Sequence, residues 1–190
     1  MEKAVKEIRL TELRALEETD KMIVEGYAVV FDSVTDLGWI KEVIDKNAFN
    51  GCDMSDVCMK YNHSNELLIM ARTRNNSLQL IIDERGLRVR AELIDTTQNR
   101  DIYKMIKAGL LTKMSFAFIV ADEEIDYATN TRRILRIEKL FDVSVVDVPA
   151  YESTEIYARN KEAYEQEKAE YEKQKALDLE KEKMKLLLSL

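Results

Sequence analysis

Residues 132–148 read RRILRIEKLFDVSVVDV, and the alternation within them decides the fold class. β-Branched and aromatic side chains recur at every second position, which is the period of a strand with two unequal faces. On that period Glu138, Asp142 and Ser144 share one face, and Asp147 has the opposite parity. An Asp between Phe141 and Val143 suits a merely packed strand badly, because an unpaired buried carboxylate costs on the order of several kcal/mol. It needs a cationic or N–H-donating neighbour.

Working outward, the same mixture recurs in MIVEGYAVVF, DVCMKY, SLQLII, GLRVRAELI and KMSFAFIV, each a strand signal. Turn material separates them, notably DLG before Trp39, DERG before Leu87 and DYATN before Thr131. Short strands at hairpin-like spacing predict a mainly β, α+β chain whose antiparallel sheet closes into a β-barrel. Two helices are expected between strands. One is short, around KNAFNGC; the other is TQNRDIYKMIKAG, with Ile102, Met105 and Ile106 on one face and Gly109 at the left-handed position after the helix end. After Pro149, the chain's one proline, the composition turns to Glu, Lys, Ala, Gln and Leu, which predicts a long helix. Tyr157, Tyr164 and Tyr171 recur there at heptad spacing, and the run ends in MKLLLSL. The other heptad positions are mostly charged, so a solvated helix that docks a partner through its Leu-rich end is expected over a self-paired coiled coil. The division is a β-barrel domain over 1–151 and a charged helical tail over 152–190.

With 190 residues, 46% hydrophobic and 34% charged, the chain can fill one core but hardly two. A net charge of −7 without a basic run argues against a grip on nucleic acid. MEKAVKEIRL holds no apolar signal-peptide core, and no stretch approaches membrane-spanning length, so a cytosolic chain without membrane contact is expected. Cys52 and Cys58 lack CxxC spacing, and with His63 as the single histidine they cannot build a usual structural zinc site. Neither a disulfide, a metal nor a cofactor is called for. Cys58, near His63 in sequence, is a formal thiol candidate, but free cysteine commonly behaves as a small buried apolar residue.

His63 ends the apolar strand face Val57, Met59, Tyr61. It is either a satisfied core-edge histidine or a proton-transfer base. Ser115, in TKMSFAFIV on the face of Ala117, forfeits apolar burial, and its hydroxyl must find a partner; it is a plain strand serine or a nucleophile. If the neighbour that Asp142 requires is the imidazole of His63, then Ser115, His63 and Asp142 form one hydrogen-bonded line in which the carboxylate fixes the tautomer and the imidazole takes the serine proton. A backbone N–H at Arg132 or Arg133 is a candidate oxyanion donor.

GYAVVFDSVTD, KNAF, KYNHS, GLRVRAELIDT, IKAGLLTKMSFAF and LFDVSVVDVPAY, in that order, resemble the prohead protease family of tailed bacteriophages, the serine endopeptidases that mature viral capsids. The resemblance spans roughly residues 26–151. It implies a fold similar to the herpesvirus assemblin proteases, with catalytic residues in the chain order histidine, serine, third member: His63, Ser115 and most plausibly Asp142, with Asp147 or Glu138 competing for the last place. The herpesvirus enzymes use a second histidine there, which this chain does not possess. The sequence also departs from the family where Ser64 replaces an acidic residue, where a glycine is missing near Met70 or Ala71, and where Asp142 stands for Glu. The implied activity is cleavage of the scaffolding region of the major capsid protein, and of the enzyme itself, inside the procapsid assembling in the host cytoplasm. The tail would contact scaffold or capsid protein or be a site of self-cleavage, and self-association would be natural. The competing readings are a catalytically inactive capsid assembly or scaffolding protein on the same fold, and an unrelated β-barrel binding module.

Overall fold

The structure, a computed structural model, describes residues 6–16, 21–67, 69–147 and 155–188, with side chains described over 13–16, 21–67, 69–147 and 161–187. Pro149 and the residues flanking it lie outside that set. The strands are β1 (Lys6–Leu16), β2 (Met22–Val30), β3 (Thr35–Asp36), β4 (Lys41–Ile44), β5 (Cys58–Tyr61), β6 (Ala71–Arg72), β7 (Leu78–Ile82), β8 (Gly86–Leu93), β9 (Lys113–Asp126) and β10 (Thr131–Val146); the helices are α1 (Thr97–Lys107) and α2 (Glu155–Leu188).

The strands join in the order β3-β4-β10-β9-β1-β2-β8-β7, with β5 pairing β10 and β6 pairing β5. This path is open among the described residues, and it is not wholly antiparallel, because β10 runs parallel to both β4 and β5. The closed antiparallel barrel expected from hairpin-like spacing is therefore corrected to an open mixed sheet with two helices. The spacing of apolar runs carries no information on direction. Here the chain leaves β2, crosses to the far side of β10 and lays two short strands along it in parallel before returning to pair β8 with β2 and β7 with β8. The short helix expected at KNAFNGC is a run of turns: Ala48, Asn50 and Cys52 each donate to the carbonyl three residues back, at 2.9, 2.9 and 3.1 Å. Asp45, whose side chain takes the Asn47 N–H at 2.9 Å, fixes that turn, and Asn and Gly populate it more readily than a helix.

α1 forms as its sequence demands. Thr96 caps it by accepting from Asn99 N–H at 3.1 Å, and Ile102 and Ile106 are buried. Its end is a Schellman closure, with Gly109 at φ 72° donating to Ile106 and Leu110 donating to Met105. That closure aims the chain into β9. α2 lies on the turn that joins β9 to β10: Tyr164 is buried against Trp39 and Tyr127, with ring centroids 5.2 and 5.7 Å away, and Tyr171 stacks on Tyr127 at 5.0 Å. Asn130 Oδ1 accepts from Tyr164 Oη at 2.5 Å and Lys168 Nζ at 2.9 Å, while its amide donates to the Trp39 carbonyl. The tyrosine stripe thus faces the protein's own sheet, and the Leu-rich end, with Leu177, Leu179, Met184 and Leu187, is exposed. The side chain of Tyr157 lies outside the described set.

Most of β9 and β10 is covered on one face only. Two stretches differ: Met114–Phe118 and Asp142–Val146 are buried at every position. They are also each other's partners in the ladder, with Ser115 opposite Ser144 and Ala117 opposite Asp142. Met114, Phe116, Val143 and Val145 turn into the main core, which leaves Ser115, Ser144 and Asp142 together on the other face.

Candidate active site

β5 brings the histidine to this face. It runs parallel to β10 with Cys58 opposite Asp142 and Lys60 opposite Ser144. The chain then reverses at once: Asn62 and His63 take φ values of 50° and 53°, consecutive left-handed residues that are costly for a non-glycine pair. Asn62 N–H donates to the Val145 carbonyl at 2.8 Å, and Ser64 N–H donates to the Tyr61 carbonyl at 3.0 Å. Ser64 Oγ then accepts from the Glu66 and Leu67 N–H groups at 3.1 and 3.4 Å. The turn folds His63 back along β10, so that its Nδ1 lies 2.5 Å from Asp142 Oδ1.

A carboxylate oxygen can only accept, so Nδ1 carries a proton, and in the neutral ring Nε2 then presents its lone pair. Asp142 is 1% exposed and Ser144 fully buried; Ser144 Oγ donates to the same Oδ1 at 2.9 Å. His63 Nε2, on the far side of the ring from Asp142, is buried and makes no hydrogen bond; Ser115 Oγ, in a fully buried residue across the ladder from Ser144, makes none either. A buried polar atom left unpaired costs roughly 1–3 kcal/mol, so these two atoms stand out in a protein that pairs its buried side-chain polar groups almost everywhere else among the described residues. The arrangement offers a hydroxyl without a partner, an imidazole with an open basic nitrogen, and a carboxylate that fixes the imidazole tautomer.

The other acidic candidates are engaged elsewhere. Asp147 Oδ2 accepts from Tyr61 Oη at 2.9 Å and its N–H donates to Asn62 Oδ1 at 3.1 Å, which pins the foot of the histidine turn; burial, with Asp147 beside it, raises the Tyr61 phenol. Glu138 is exposed, and its carbonyl accepts from Asp53 N–H. Arg132 and Arg133 are not at the site. They lie ten and nine residues before Asp142 on β10, roughly 30 Å away at strand rise. Arg132 is bound to Glu42 and Glu123, and Arg133 to Asp45 and Asp32. Cys58 is buried beside Asp142 on β5. Ser144 was not singled out as a site residue from the sequence, although its parity with Asp142 was the signal that could have found it.

An open groove of about 720 Å³ is lined among others by Arg14, Glu25, Tyr27, Arg85 and Lys113, and by none of Ser115, His63, Asp142 and Ser144. Lys113 precedes Ser115 by two residues on β9 and so points to the same side of the sheet. Glu25, 8% exposed, is held by Arg88 at 2.8 Å and Arg90 at 3.0 Å, which makes that wall predominantly basic. Among the described residues no cluster of His, Cys, Asp and Glu could hold a metal ion, and no helix is long and apolar enough to cross a membrane.

Residues 9–169 match the family described as Caudovirus prohead serine protease. Among solved structures, the capsid assembly protease gp21 of bacteriophage T4 is similar in fold, with a TM-score of 0.52 at 11% sequence identity over 75% of this chain and 97% of that one. No curated protein matches the chain.

Proposed function

This chain belongs to the caudovirus prohead serine protease family, and we propose that it is an active serine endopeptidase of procapsid maturation in which Ser115 is the nucleophile, His63 the general base and Asp142 the residue that orients and charges the base. The single observation that carries the reading is the pairing of His63 Nδ1 with Asp142 Oδ1 at 2.5 Å, together with two buried atoms without partners, His63 Nε2 and Ser115 Oγ, the latter on the strand that pairs β10 at this point. In the reaction Nε2 takes the Ser115 proton as Oγ bonds to the substrate carbonyl carbon. The Asp142 carboxylate stabilises the resulting imidazolium, which returns its proton to the departing amine, and water then releases the acyl group by the same base. The buried hydroxyl must be uncovered for this, and catalytic hydrogen bonds commonly close only when substrate is bound.

The substrates are the scaffolding region of the major capsid protein and the enzyme's own chain, met inside the procapsid in the host cytoplasm. The exposed Leu-rich end of α2 serves as the contact to scaffold or capsid protein, over a tail of 152–190 appended to the 1–151 protease domain. The kinship with assemblin proteases, in fold and in the chain order histidine, serine, third member, belongs to this reading.

Ser115→Ala tests it. Coexpressed with the major capsid protein of the same phage, the wild-type chain yields a shortened capsid product, whereas Ser115→Ala yields none while keeping the wild-type circular dichroism spectrum. Full processing by Ser115→Ala overturns the mechanism, and absence of processing by the wild type supports an inactive assembly protein instead.

A further inference from the structure

We propose that Ser144 is a positioning residue of this site, whose hydroxyl keeps the Asp142 carboxylate ionised and in the rotamer that meets His63. The inference rests on the roles of Ser115, His63 and Asp142 given above. Ser144 is fully buried, in a stretch where Val143, Val145 and Val146 supply the packing. A hydroxyl there forfeits apolar burial and gains only through its partner. That partner is Asp142 Oδ1 at 2.9 Å, the same oxygen that receives His63 Nδ1 at 2.5 Å. Ser144 sits directly across the ladder from Ser115, so one of the two facing serines stands free of hydrogen bonds and the other is committed to the carboxylate.

The chemistry gives this commitment a purpose. Burial favours the neutral form of a carboxyl group, and donors to its oxygen favour the ionised form. With Ser144 donating, Oδ1 is bonded by both the hydroxyl and the ring, which spreads its negative charge and helps to fix the carboxylate. Without Ser144, the carboxylate turns its full basicity on the His63 proton and holds the imidazolium more tightly. A smaller fraction of the ring is then the neutral base at a given pH. The other titratable groups facing this pair are Cys58 and Lys60 on β5, opposite Asp142 and Ser144, and Lys113 on β9; on β10 the neighbouring residues Leu140 and Val146 carry no charge. All of them are left untouched by substitutions at 144.

The test is the rate at which a fluorophosphonate probe labels the full chain, measured from pH 5 to pH 9, the labelled residue being identified by mass spectrometry. Ser144→Ala should be labelled at Ser115 about tenfold more slowly near neutral pH, as expected for loss of a hydrogen bond to a charged group, with the acid limb of its profile moved to higher pH. Ser144→Thr, which keeps the hydroxyl, should restore the wild-type rate and limb. A Ser144→Ala profile that superimposes on wild type overturns the proposal. So does a slow rate with an unmoved limb that Ser144→Thr fails to rescue, since that is the mark of packing alone. If Ser144→Ala does not fold, Ser144→Cys, of similar volume but a weak donor, takes its place and should be labelled more slowly than Ser144→Thr, with its acid limb at higher pH; equality with threonine overturns the proposal. Labelling of Ser115→Ala as fast as wild type, or none of the wild-type chain, would instead bring down the assignment of the nucleophile and this inference with it.

Discussion

Replacing Asp142 with Asn changes one atom's element and one unit of charge, and leaves the shape of the side chain almost intact. In the native site Oδ1 receives both His63 Nδ1–H and Ser144 Oγ–H, and at 1% exposure bulk water cannot substitute for the lost charge. A hydrogen bond to an ionised acceptor contributes about 1.5–3 kcal/mol. If the new amide presents its carbonyl to His63, the bond survives in weaker, neutral form and the transition state loses roughly that amount, about a 10- to 150-fold fall in kcat/KM. If it presents its NH₂ group, the ring is driven into the wrong tautomer, with Nε2 protonated and no longer a base; in the template serine triad that outcome costs about 10⁴. Asp142→Asn should therefore process capsid protein, and react with a fluorophosphonate, between about 10 and 10⁴ times more slowly. Asp147→Asn and Glu138→Gln make the comparison sharp, because Asp147 serves Tyr61 and Asn62 and Glu138 is exposed. Both should stay within about twofold of wild type, the range expected of substitutions away from the reacting groups. Wild-type rates for Asp142→Asn, or a collapse confined to Asp147→Asn, would refute the assignment of the carboxylate.

Two further outcomes concern the frame. Tyr164→Ala removes the ring packed between Trp39 and Tyr127 and the hydroxyl bonded to Asn130; burial of a large aromatic is commonly worth about 3–5 kcal/mol, so α2 should undock, with a red shift in the emission of Trp39, the chain's one tryptophan, and faster amide exchange in the helix but not around Ser115. Unchanged emission would refute the docking. Acid stability should follow the carboxylates held low: Asp45 by the Asn47 N–H and then Arg133, Asp56 by Arg72, and Asp83 by the Tyr27 hydroxyl. Their depressed folded values mean that the unfolded chain binds more protons as pH falls below the ordinary carboxylate value of about 4. The melting temperature should hold from neutral pH down to that value and drop beneath it, less steeply in Arg133→Ala; a drop that begins near pH 6 would show that other groups control it.

The strand content and the need of Asp142 for a partner, met by His63, were legible because each rests on a local signal. Parity put Asp142 and Ser144 on one face of a long strand, and an acid between Phe141 and Val143 needed a partner wherever the strand lay. The Schellman end of α1 was legible for the same reason, since Gly109 states its φ in its identity. The direction of pairing was not. KEVI at 41–44 and CMKY at 58–61 are too short to show which way they lie, and nothing in them announces that both run parallel to β10. β1 was missed because Glu, Arg and Lys interrupt its apolar positions, although it is the strand that joins β9 to β2. Arg132 and Arg133 were placed near the site by their order in the chain, whereas the length of β10 carries them to its opposite end.

That separation along β10 explains how the site can bear its local costs. At one end the strand is clamped by Arg132 to Glu42 and Glu123 and by Arg133 to Asp45 and Asp32, with α2 closing over the adjacent turn through Tyr164 and Asn130. At the other end lie two unpaired buried polar atoms and two successive left-handed residues, each unfavourable by roughly 1–3 kcal/mol. Alanine at 115 and a glycine in the histidine turn would remove most of that burden without disturbing the ladder. Packing alone therefore gives no reason for a serine at 115 or a histidine at 63. The roles proposed for them, a base and a nucleophile uncommitted until a substrate arrives, do give one, and a sheet clamped at its far end and buried on both faces at its near end is rigid enough to hold them so.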